Sequence, residues 1–137
     1  MEHIVVDANV IVSSFLSTEE SHSRSQRYID GLESGDYVFN LPMIVVIETV
    51  AAIGRRAQKN RQALLVRAKK SLADWEASGG VILYPLERQR MDNSVQVAEQ
   101  YGLRGADSVI VALAEELNVP LKTFDREILD RFQRASL

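Results

Sequence analysis

Four acidic residues stand where a carboxylate is least expected: Asp7, Glu48, Asp107 and Asp125. Asp7 closes the apolar run Ile4-Val5-Val6, and Glu48 interrupts the apolar stretch that starts at Leu41. Asp107 opens Ser108-Val109-Ile110-Val111-Ala112-Leu113-Ala114, and Asp125 follows Pro120-Leu121-Lys122-Thr123-Phe124. An ionised carboxylate beside a core is costly unless it is paired or binds a metal. Converging in space, these acids would form a hard-oxygen cage suited to Mg²⁺ or Mn²⁺. Such a cage serves metal-dependent phosphodiester cleavage.

Taken singly, each acid also has a plainer reading. Asp7 and Asp125 are equally good helix N-caps. Asp107 falls in the first turn of a helix, where the macrodipole favours an anion. Glu48 lies in mid-helix and needs a partner, either a metal or a structural ion pair with Arg55 or Arg104. Composition narrows the metal chemistry. The chain has no cysteine and two histidines, His3 and His22, which leaves no thiolate ligands and makes a zinc site of nitrogen and sulfur improbable. Any metal must be held by oxygen.

The elements that would position these acids alternate between strand and helix. Ile4–Val6, Tyr37–Asn40, Val81–Tyr84 and Leu121–Phe124 read as strands. Helices are expected over Val10–Leu16, Gln26–Glu33, Leu41–Ile53, Asn60–Ser78, Met91–Tyr101, Ala106–Leu117 and Glu127–Gln133, with Gly35 and Gly102 as stops. Ser17–Ser25 is the most loop-like stretch, although its serine and glutamate content could also open a helix. Leu41–Ile53 is ambiguous: its β-branched residues favour a strand, while Pro42 and the continuation to Arg56 favour a helix. As a helix it carries Met43, Val46, Ile47, Val50, Ile53 and Ala57 on one face. Glu48 lies opposite, with Ile44, Ala51 and Ala52, so the helix is expected to be buried on both sides. Four strands separated by helices predict an α/β domain with a parallel sheet and helices on both faces. Asp7 and Asp125 each follow a strand, which brings them to the carboxyl edge where sites gather.

At 137 residues the expectation is one domain, 1–137, with an ordinary 46% apolar and 26% charged composition. No apolar stretch reaches the roughly 18 residues of a membrane span, and the opening residues lack signal-peptide features, so a cytoplasmic protein is expected. Net charge is −3, unlike a generic nucleic-acid binder. That average hides a basic run: Arg55, Arg56, Lys59, Arg61, Arg67, Lys69 and Lys70. The run reads either as a solvated helix face or as a phosphate-tracking surface.

The sequence resembles a PIN domain, the ribonuclease fold of VapC-type toxins, over nearly its whole length. IVVDANVIVSSFL resembles the family's first strand and its D-x-N/S motif, at Asp7 and Asn9. LPMIVVIETVAAIGR is similar to the helix bearing the family's glutamate, here Glu48. YGLRGADSVIVALAEELNVPLKTFDREI resembles the third and fourth acidic stations, Asp107 and Asp125, with Thr123 at the hydroxyl position. The resemblance implies a three-layer α/β/α fold. It departs at the end, where Arg134-Ala135-Ser136-Leu137 is a poor last strand, so four strands are expected and a short fifth is left open.

The resemblance further implies that Asp7, Glu48, Asp107 and Asp125 bind one or two Mg²⁺ or Mn²⁺ ions and hydrolyse RNA. Asn9 and Thr123 would support them, and Arg104 would either steer the phosphate or pair with an acid. It implies a homodimer and a small antitoxin partner, with Leu41–Ile53 and Leu64–Trp75 as surfaces for either. A non-toxin PIN nuclease of RNA processing shares all these residues, and a PIN domain that only binds RNA is disfavoured by the intact acids. A receiver-like domain would want a lysine after a late strand, whereas Lys122 precedes the last acid. A haloacid-dehalogenase-like phosphatase would want a second aspartate at Asn9.

Overall fold

Ile4, Val5 and Val6 are fully shielded from solvent, because β1 (Glu2–Val6) is the middle strand of the sheet. A central parallel strand covered on both faces reads as a continuous apolar run rather than an alternation. The computed structural model describes residues 1–137. Its other strands are β2 (Tyr37–Pro42), β3 (Val81–Tyr84), β4 (Leu121–Lys122) and β5 (Ala135–Ser136). They pair in the order β3-β2-β1-β4-β5, and every pairing is parallel. Val5 sits between Asn40 of β2 and Leu121 of β4, which fixes the register at the centre.

Seven helices connect the strands: α1 (Ala8–Phe15), α2 (His22–Ser34), α3 (Met43–Arg56), α4 (Arg61–Ala77), α5 (Arg88–Tyr101), α6 (Gly105–Leu117) and α7 (Arg126–Arg131). α1 packs on α2 and α3, α3 packs on α4, and α2 and α4 lie over β2 and β3. α5 packs on α6, which lies over β1 and β2. The chain winds outward from β1 to β3 and then returns to β4 on the other side of β1. Right-handed crossovers in opposite directions put the two helix groups on opposite faces of the sheet. The result is the expected α/β/α sandwich. The reversal leaves a crevice at the carboxyl ends of β1 and β4, directly before Asp7 and Asp125.

Three expectations are revised. The open question of a fifth strand resolves in its favour: β5 forms, and its Ser136 carbonyl accepts a hydrogen bond from Thr123 N at 3.0 Å. The most loop-like segment begins a helix at His22, whose Nδ1 lies 2.7 Å from Ser13 O. α3 is not buried on both sides. Its inner face is Val45, Thr49, Ala52 and Ile53, while Met43 is 47% exposed and Ile47 68% exposed. α2 ends at Gly35 as expected; its φ of 87° is left-handed, a conformation that favours glycine.

Candidate active site

β1 ends at Val6, and the next residue must both leave the sheet and start α1. Asp7 does this with extended backbone, φ −74° and ψ 152°. Its amide donates to Lys122 O at 2.9 Å, so the first and fourth strands are still tied together there. Its side chain is 6% exposed and fully engaged. Oδ1 accepts from Ala8 N at 2.7 Å, and Oδ2 accepts from the Thr123 hydroxyl at 2.7 Å. The same Thr123 Oγ1 accepts from Asp125 N at 3.0 Å. One buried threonine therefore sets the relative placement of two acids. Asn9 adds a second latch, its Oδ1 accepting from Phe124 N at 3.2 Å.

Asp125 caps α7 by accepting from Ile128 N at 3.2 Å, so the capping role expected for it is real. Asp107 lies in the first turn of α6. Glu48 projects from α3 toward the same place. Asp7, Glu48, Asp107 and Asp125 line one cleft of about 410 Å³, together with Asn9, Arg55, Arg56 and Arg104. All four acids named from the sequence therefore meet, although they are not equally close. The tight group is Asp107, Asp125 and Glu127, whose carboxylate oxygens lie within 4.8 Å of one another. Asp7 and Glu48 line the cleft outside that group.

Glu127 is the residue that sequence reasoning missed. It is exposed and lies 4.0 Å from Arg131, so it resembles an ordinary charge at a helix start. The available signal was its spacing, two residues after Asp125. The suggested ion pair of Glu48 with Arg55 or Arg104 does not form. Arg104 instead lies 3.6 Å from Asp107 and 3.6 Å from Asp125. Its side chain is 76% exposed, so these pairs are worth less than about 1 kcal/mol each.

The carboxyls are poorly neutralised. Burial raises the Asp7 carboxyl to about 6; the Thr123 hydrogen bond opposes this, and Asp107 and Glu48 add to it. Asp107 is raised by burial and by Asp125, with Arg104 in partial opposition. Glu48 is raised by burial and by Asp107. Asp107 Oδ2 is buried and accepts no hydrogen bond. A buried carboxylate oxygen that accepts no hydrogen bond, with only the exposed Arg104 guanidinium 3.6 Å away, is a good cation ligand. The donor set is all oxygen, since His3 and His22 are engaged elsewhere with Asn40 and Ser13. These residues fit a hard divalent cation such as Mg²⁺ or Mn²⁺.

The family profile of the PIN domain matches residues 4–135. The chain belongs to the PIN domain family. Several solved structures share this PIN fold. A toxin-antitoxin complex from Klebsiella pneumoniae superposes with a TM-score of 0.70 at 14% identity, covering 98% of this chain and 96% of that chain. VapC20 of Mycobacterium tuberculosis, described as a sarcin-ricin loop cleaving toxin, gives 0.70 at 16%, covering 89% of each. FitAcB of Neisseria gonorrhoeae gives 0.65 at 22%, covering 89% of this chain and 87% of that chain. At these identities the likeness is one of fold. No curated protein sequence matches significantly. No helix of this PIN domain is long and apolar enough to cross a membrane.

Proposed function

We propose that the chain is a metal-dependent endoribonuclease acting as the toxin of a toxin-antitoxin pair. The observation that carries this reading is the convergence of Asp7, Glu48, Asp107 and Asp125 on one cleft that also contains Asp107 Oδ2, a buried oxygen that accepts no hydrogen bond. In this reading Asp7, Glu48, Asp107 and Asp125 are catalytic through the Mg²⁺ or Mn²⁺ they hold, and Glu127 stands at the edge of the set. The bound metal would lower the pKa of a water molecule and stabilise charge on the leaving oxygen. Thr123 keeps Asp7 and Asp125 in place, and Asn9 fixes the loop after β4 to α1. Arg104, exposed and cationic at the mouth, steers the scissile phosphate.

Partners follow from the same reading. The solved neighbours include toxin-antitoxin complexes, which supports a small antitoxin protein that covers the cleft. A homodimer is supported by exposed apolar side chains. Met43 and Leu86 line one groove between α3 and the loop after β3, and Ile47, Met91 and Val95 are also exposed. A patch of this kind marks an interaction surface.

The decisive experiment is cleavage of RNA by the purified chain with Mg²⁺, Mn²⁺ or EDTA, beside Asp7→Asn. Cutting that needs metal and is lost in the variant is the expected result. Absence of both cutting and Mn²⁺ binding would return the acids to caps and ion pairs. Co-expression with the small protein encoded beside this gene, if there is one, is expected to block cutting and growth arrest; growth unaffected by the chain alone would favour a role in RNA processing.

A further inference from the structure

The acidic cleft does not end at its acids. A second, open cavity of about 660 Å³ adjoins it, and Arg55 and Arg56 line both. We propose that this second cavity is a subsite for the nucleotide next to the scissile phosphate, with Arg55 holding the phosphate between the two. The proposal rests on the ribonuclease reading and specifies how its substrate lies.

The two arginines differ in what they already do. Arg56 is held 3.5 Å from Glu19, and Glu19 also accepts from Ser13 Oγ at 3.0 Å. Arg56 is therefore part of the wall. Arg55 is exposed and makes no ion pair or hydrogen bond within the protein. It stands in the last turn of α3, where the helix dipole favours a cation. A free guanidinium on the ridge between two cavities, one of them acidic, is well placed for a phosphate that bridges them. Of the rest of the basic run, Lys59 and Lys69 line neither cavity, and three residues are engaged elsewhere. Arg67 stacks on Phe15 at 5.5 Å, Lys70 pairs with Asp74 at 2.7 Å, and Arg61 donates to Gly54 O.

The far cavity is polar. Thr18, Glu20, Ser21 and Gln58 surround a small apolar floor at Leu16 and Ala57. This cavity has no aromatic lining, so a base in it is held by its edge and by the arginine planes rather than by aromatic stacking. Hydroxyl, amide and carboxylate groups around a small floor suit the edge of a nucleobase. The Glu20 carboxylate accepts hydrogen bonds and donates none. It therefore pairs best with guanine, whose N1–H and exocyclic amine offer two adjacent donors, whereas uracil offers N3–H alone.

The test is cleavage of a random-sequence single-stranded RNA pool with Mn²⁺, with the cut ends sequenced. Wild type is expected to show a bias toward guanine at one position beside the cut. Glu20→Ala and Gln58→Ala should reduce that bias about fivefold or more, consistent with loss of a base contact. Arg55→Gln should raise KM about tenfold with kcat within about twofold, and lower the salt dependence of RNA binding by about one phosphate contact. These side chains are exposed, so the variants should fold; far-ultraviolet circular dichroism checks this. Cutting with the same base bias in all variants would overturn the subsite and leave the cavity to a protein partner. An unchanged KM and salt slope in Arg55→Gln would remove Arg55 from the substrate path. A wild type that cuts no RNA with any metal sinks the ribonuclease reading itself, and the subsite with it.

Discussion

The hydroxyl of Thr123 donates to Oδ2 of Asp7 at 2.7 Å, joining two residues 116 positions apart in the chain. Thr123 is fully buried, and its own amide is held by Ser136 of the fifth strand. The edge strand therefore helps to aim a central acid. Thr123→Val keeps the shape but removes the donor to Asp7 and the acceptor for Asp125 N. It is expected to destabilise the fold by about 1–3 kcal/mol, since buried polar groups lose partners. It should also weaken Mn²⁺ binding by roughly 10- to 100-fold, as losses around metal ligands do. Thr123→Ser should retain most of both. Urea denaturation and calorimetric Mn²⁺ titration test this; a Val variant as good as wild type in metal binding would end the positioning role.

Asp7 makes the metal-free protein sensitive to pH. Burial lifts its carboxyl from 3.8 to about 6 against the opposing Thr123 hydrogen bond. The folded state therefore holds this proton more tightly than the unfolded chain does. Stability is fully present below about pH 4 and is lost as pH rises toward about 6. A shift of this size corresponds to at most about 3 kcal/mol. In EDTA, Tm should be higher at about pH 5 than at about pH 7.5. Asp7→Asn should raise the metal-free Tm at the higher pH and have little effect at the lower. Mn²⁺ should stabilise wild type most above pH 6, because protonated carboxyls bind metal poorly. A wild-type Tm in EDTA that climbs steadily from pH 5 to pH 7.5 would contradict the sign.

Much of this site was legible because strand ends are legible. Asp7 and Asp125 each follow an apolar run, and a parallel sheet sends such positions to one edge. Asp107 was visible as an acid at the head of an apolar helix. The remainder was set by packing that periodicity does not encode. α3 is apolar nearly all round, so its pattern has no unique inward direction; of the face grouped from the sequence, Ile53 is buried, Val46, Val50 and Ala57 are half-buried, and Met43 and Ile47 are exposed. Ala135-Ser136 has no strand propensity; its pairing with β4 makes it a strand. Glu127 looks like any solvated acid until the fold brings it beside Asp107 and Asp125.

The acids are expected to differ in weight. Asp107 supplies the buried oxygen that accepts no hydrogen bond, so Asp107→Asn should reduce cleavage at least about 100-fold without unfolding the protein. Glu48→Gln should follow the same course. Glu127 belongs to the close group but is exposed and shared with Arg131, so solvent screens it. Glu127→Gln should cost roughly tenfold in Mn²⁺ affinity or less. Titration of each variant with Mn²⁺, read by electron paramagnetic resonance, gives the order. A larger loss at Glu127 than at Asp107 would place the metal on the outer side of the group.

The exposed apolar side chains of α3 lead to the last prediction. Met43 and Ile47 are one helical turn apart and exposed, away from the inner face of Val45, Thr49, Ala52 and Ile53. Met91 and Val95 repeat the arrangement on α5, at 40% and 52% exposure, with Leu86 in the loop before it. Leaving this much apolar surface in water has no structural reason inside one chain, whereas a second copy presenting the same patch would bury it symmetrically. Ile47→Glu places a charge on the most exposed of these side chains, where no core packing is lost. Wild type should sediment as a dimer and Ile47→Glu as a monomer with an unchanged circular dichroism spectrum. If both sediment with the same mass, the apolar face serves another partner, and the antitoxin becomes the one to test on it.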